Sequence, residues 1–151
     1  KKIVSNSLKK NELNRMKQLV DGILGSSNYR DGNWVLFDRD NLDVTIDLGK
    51  IEEVSSVNFR TNIRLDNRVF GPIKLVVSVS KDDKDYKPVL EKDYPEIQRD
   101  TEIGIRDLTE SFEPVKSRFV RITVSKLANV PDWHRSKGLR TLMYIDEIRI
   151  N

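Results

Sequence analysis

Residues 42–48 read Leu-Asp-Val-Thr-Ile-Asp-Leu, apolar and polar in strict alternation, with Gly49-Lys50 as a turn behind them. A period of two is the mark of a strand with one buried and one wet face. The same signal recurs over 54–59, with Val57 and Phe59 on one face, and over 73–80. The polar stretch 81–85 predicts a hairpin turn into a strand at 86–90. Alternation returns at 101–108 and 118–124, the latter setting Val120, Ile122 and Val124 against Phe119, Arg121 and Thr123, and a final strand covers 144–150. Glycine and proline fall between these runs. Upstream, residues 1–18 are polar and lysine-rich; Leu8, Leu13, Met16 and Leu19 fit either a short helical turn or an arm laid along an edge. About eight short strands without a long helical pattern predict an all-β fold, an antiparallel β-sandwich or jelly roll. The domain is drawn at 19–151, with 1–18 as an N-terminal arm.

Two segments break the spacing: 25–33, and 127–143 with Pro131-Asp132-Trp133-His134-Arg135 at its centre. Overlong loops in a compact β domain tend to carry function.

Composition narrows the options. With 151 residues, 37% hydrophobic and 34% charged, the chain is globular and the size of one domain. A net charge of +3, dispersed along the chain, does not make a nucleic-acid surface; the nearest candidates, Lys9-Lys10 and 135–140, read as solvated loops. The absence of cysteine excludes disulfide scaffolds, thiolate zinc sites and thiol nucleophiles. No run is long and apolar enough to span a bilayer. The opening Lys1-Lys2 reads as a piece of something longer. Catalysis has little to build on. His134 is the only histidine, no Gly-x-Ser-x-Gly elbow or phosphate-cradling glycine loop occurs, and the carboxylates fall in turns or on alternating polar faces.

Leu19-Val20-Asp21-Gly22, then Trp34, then 42–49 ending Asp-Leu-Gly resembles the opening of discoidin domains, the coagulation factor V/VIII type C modules. Residues 75–80, 117–122 and 146–150 resemble the later strands of that family in the right order. A narrower likeness, carried by 21–34, Pro131-Asp132-Trp133-His134 and 145–148, is to family 32 carbohydrate-binding modules and to the C-terminal module of bacterial family 20 β-N-acetylhexosaminidases. The polar stretch 63–69 departs from the family pattern. The resemblance implies a galactose-binding-domain-like sandwich that is not itself an enzyme. It implies binding to glycans with a terminal hexose or N-acetylhexosamine, while the module serves a glycosidase catalytic domain of the same parent chain. It also implies a secreted, periplasmic or cell-surface bacterial setting. A purely structural module packed on its catalytic neighbour is the alternative. Membrane insertion is not expected, because the loop tips read as polar.

A sugar site needs an aromatic platform for the C–H face of the ring and planar polar groups for its hydroxyls. Trp133 and His134 on the late loop, with Asn28, Tyr29 and Arg30 on the early one, form the expected set. Trp34 begins a strand and reads as core. For metal, the residues alone make Asp21 a turn former and Glu147 a solvent-facing strand residue. The resemblance implies one structural calcium held by Asp21, Ser26 and Glu147, from an irregular loop and the last strand.

Overall fold

The computed structural model describes residues 2–5 and 13–151. Leu8 and the Lys9-Lys10 pair lie outside them. Seven strands occur among the described residues: β1 (Lys2–Ser5), β2 (Val35–Phe37), β3 (Leu42–Ile63), β4 (Pro72–Ser80), β5 (Lys87–Asp93), β6 (Gly104–Lys126) and β7 (Met143–Ile150). Every ladder between them is antiparallel. A one-turn α-helix, α1 (Leu13–Met16), and a 3₁₀ turn at Lys17–Val20 precede β2.

Hydrogen bonding is continuous through all seven strands because β3 and β6 each belong to both layers of the sandwich. The first half of β3, Leu42 to Asp47, pairs with Val124 to Phe119 of β6, and β1, β4 and β5 extend that layer. The second half of β3 pairs with the first half of β6 on one side and β7 on the other, with β2 beyond β7. At the crossing the register slips between Asp47 and Glu52. Gly49 sits there at φ 86°, a left-handed conformation that costs glycine little. The Asp47 carboxylate accepts the Gly49 N–H at 2.8 Å. The residues read as a turn therefore form a bulge inside one 22-residue strand. Likewise 104–108 and 118–124 are two parts of β6, and with the short strands β1 and β2 the described residues hold seven strands.

The core lies between the layers. Val44, Ile46, Val57, Phe59, Leu75, Val77, Val120, Ile122, Val124 and Ile145 are fully buried. Met16 and Leu19 join them, so the segment before β2 supplies core side chains as well as edge strand β1. Trp34 is buried. Phe119 stands on the outer face of β6, opposite in phase to Val120, with the Arg118 guanidinium 4.9 Å above its ring. The hairpin at 81–85 is closed by side chains. The Ser80 hydroxyl accepts the N–H groups of Asp82 and Asp83, and the Asp82 carboxylate accepts those of Lys84 and Asp85. These backbone bonds, that from Asp85 foremost, hold the Asp82 carboxyl down at about 2.

Candidate functional site

At one end of the sandwich three connections meet. The 3₁₀ turn Leu65–Asn67 follows β3, the segment 94–103 joins β5 to β6, and the long loop 127–142 joins β6 to β7. Two adjoining clefts of about 300 and 280 Å³ open among them and share Leu65, Asp66 and Arg99. Arg64, Asn67, Thr101 and Ile103 line the first; Trp133, His134 and Arg135 line the second.

His134 fixes the late loop to the turn. Its Nδ1 accepts the Ser136 N–H at 3.0 Å, which puts the ring proton on Nε2, donated to the Leu65 carbonyl at 2.6 Å. The ring is 9% exposed and both nitrogens are engaged. His134 therefore shapes the cleft but offers a ligand no free nitrogen. Trp133 is half-buried, its ring 5.7 Å from that of His134 and 6.1 Å from that of the buried Phe70. Its indole N–H has no partner in the protein.

Three arginines brace the same end through backbone carbonyls. Arg64 donates to Ser27 at 2.9 Å, Arg99 to Trp133 at 2.9 Å, and Arg135 to Asp66 at 3.0 Å. The bond from Arg64 ties the early loop to this end, so the two overlong loops flank the turn on either side. They do not merge into one site. Asn28 shapes a turn, its side chain accepting the Arg30 N–H and its carbonyl the Asp31 N–H. Tyr29 packs on Tyr144 of β7 at 4.9 Å, and the Arg30 guanidinium lies 5.3 Å from its ring centroid. None of the three lines the Trp133 cleft. Conversely, Asp66 and Arg99 line it and Arg64 lines the adjoining cleft, none of them among the residues expected for the site. Arg64 and Asp66 lay within 63–69, noted only as a departure, and Arg99 carried no signal. Nor are the loop tips uniformly polar: Ile23, Leu24 and Leu139 are 53%, 44% and 53% exposed.

The early loop is closed from inside. Arg60 meets Asp146 at 3.2 Å and donates to the Gly25 carbonyl at 3.0 Å, while the Gly25 N–H bonds Asp146 at 2.8 Å. Burial pushes the Asp146 carboxyl up, opposed by the Gly25 N–H and Arg60. The Trp34 ring lies 5.6 Å from the Arg60 guanidinium and donates to the Ser26 carbonyl at 2.9 Å. Nearby, Glu147 is 6% exposed and accepts the Gly22 N–H at 3.1 Å. Burial raises its pKa, the Gly22 bond opposes this, and the Asp21 carboxylate adds to it. For a calcium ion, Asp21 and Glu147 fit as a pair of neighbouring carboxylates. Ser26 fits less well. Its carbonyl is taken by Trp34, its N–H by Asp31 and its hydroxyl by the Asn28 N–H. Among the described residues no group of three or more carboxylate or imidazole side chains gathers as a metal site.

The fold is a two-layer antiparallel sandwich, with two adjoining clefts between the loops at one end. The model of the F5/8 type C domain family matches residues 3–141, and the chain belongs to that family. Solved structures share the fold at low identity. A chitosan-binding module derived from a chitosanase/glucanase of Paenibacillus sp. IK-5 is 13% identical at a TM-score of 0.60, covering 99% of this chain and 92% of that one. A Clostridium perfringens CBM32 module solved with GalNAc-β-1,3-galactose is 15% identical at 0.59, covering 99% and 93%. The CBM32 module of AlyQ, solved with 4,5-unsaturated mannuronic acid, is 16% identical at 0.56, covering 99% and 92%. No curated protein matches the chain. Among the described residues no helix is long and apolar enough to cross a membrane.

Proposed function

We propose that the chain is a non-catalytic carbohydrate-binding module that holds a parent glycoside hydrolase on its glycan. The parent suggested by the sequence likeness is a β-N-acetylhexosaminidase, and its setting is secreted, periplasmic or cell-surface. The observation that carries the reading is the half-buried Trp133 ring, which borders a cleft also lined by Leu65, Asp66, Arg99, His134 and Arg135. An indole supplies the flat apolar surface that a pyranose face needs, and the polar rim supplies hydroxyl partners. The sugar ligands of the AlyQ and Clostridium perfringens modules support the class of ligand.

The test is a calorimetric titration of a bound glycan into the wild-type domain and Trp133→Ala, with a thermal melt of each. An aromatic face under a sugar contributes on the order of 1–3 kcal/mol, so affinity should fall about ten-fold or more. The packing of Trp133 near Phe70 and His134 favours a second reading, in which the ring only plugs the end of the sandwich. That reading predicts a lowered melting temperature with affinity unchanged or absent.

A further inference from the structure

Four arginines on the sandwich are paired with carboxylates. Arg118 meets Asp47, Arg121 meets Asp43, Arg140 meets Asp38 and Arg60 meets Asp146. Among the described residues, Arg64, Arg99 and Arg135 form no ion pair, and they line the clefts, Arg64 the first, Arg135 the second and Arg99 both. Asp66 is the one carboxylate side chain lining them, and Arg135 bonds its backbone carbonyl instead. Each guanidinium donates one bond to a main-chain oxygen, which leaves its other N–H donors available. Unpaired guanidiniums beside an aromatic ring are suited to a planar anion attached to a ring with an apolar face.

Building on the reading of this end as the glycan site, we infer that it selects acidic sugars. The carboxylate of a uronic acid sits among Arg64, Arg99 and Arg135, and its pyranose ring lies against Trp133.

The test uses the 151-residue chain. It is titrated with oligogalacturonate, oligomannuronate, oligoguluronate and heparosan oligosaccharides, each beside its carboxyl-reduced counterpart, at two salt concentrations. A neutral-glycan array is run in parallel. The inference predicts that at least one acidic oligosaccharide binds about ten-fold or more tightly than its reduced form, with affinity falling as salt rises. Arg99→Gln and Arg135→Gln should each weaken that binding several-fold, Arg99→Lys less, with melts that track the wild type. Equal binding of charged and reduced sugars, or binding confined to the neutral array, overturns the acidic selectivity and leaves the glycan-binding reading intact. Equal binding of polyglutamate overturns it too, as generic attraction of a basic surface. No binding on either set overturns both.

Discussion

Glu147 shows how much one buried carboxylate can report. Its folded pKa is raised above the ordinary 4.5, burial first among the causes. The native state therefore holds the proton more tightly than the unfolded chain. This group's contribution to stability is fully present below about 4.5 and is lost as pH rises through the folded value. Glu147→Gln mimics the protonated form and keeps an acceptor for the Gly22 N–H. The variant should be more stable than wild type at neutral pH, and the gap should close as pH falls toward 4.5 in denaturant titrations. A constant gap would mean that Glu147 is not strained by burial. We also propose that Asp21 and Glu147 together hold a calcium ion, which would relieve the same strain by another route. Excess calcium should raise the wild-type melting temperature over chelator, and Glu147→Gln should lose that response. Matching midpoints in the wild type would leave the ion no role. The sequence placed Asp21 in its turn, but not the burial of Glu147, since a strand's outer face is read as wet unless a loop is known to cover it.

That loop is an element held by one small residue. An added Cβ on Gly25 would lie 2.1 Å from the Trp34 indole nitrogen. Trp34 in turn lies against Arg60, which with Asp146 holds the Gly25 backbone. Gly25→Ala should cost about 1–3 kcal/mol of unfolding free energy, as for other overpacked sites, and alter the tryptophan fluorescence. An unchanged denaturant midpoint would show that the loop moves aside freely. At this scale the strands were legible where one face is buried, as at 42–48 and 118–124. Their continuity was not, because Gly49 beside Asp47 has the chemistry of a turn and of a bulge alike. The second half of β3 hid more. Residues 57–63 are buried on both faces, so Asn58, Arg60 and Asn62 look like a solvent side and are covered instead.

For the whole molecule, the candidate site is a product of topology. Arg64, Arg99 and Trp133 are far apart in the chain and meet because β3, β5 and β6 end at the same pole of the sandwich. Trp133 could be picked out as a non-core aromatic on an overlong loop, whereas Arg99 could not. Nothing in the local sequence marks a connection that will be folded against another loop. The separation of Tyr29 and Arg30 from Trp133 has the same origin. The early loop reaches the turn through Ser27 and then passes to β7, where Tyr144 takes Tyr29.

Glycan binding at this pole is open to direct measurement. The most direct measurement is backbone amide NMR of the labelled domain during titration with a bound oligosaccharide. Perturbed amides should cluster at 64–67, 99–103 and 132–136, and the Trp133 indole N–H, unpartnered within the protein, should shift with them. Perturbations centred on Tyr29 and Tyr144, or on the β-sheet faces with the pole unmoved, would contradict it.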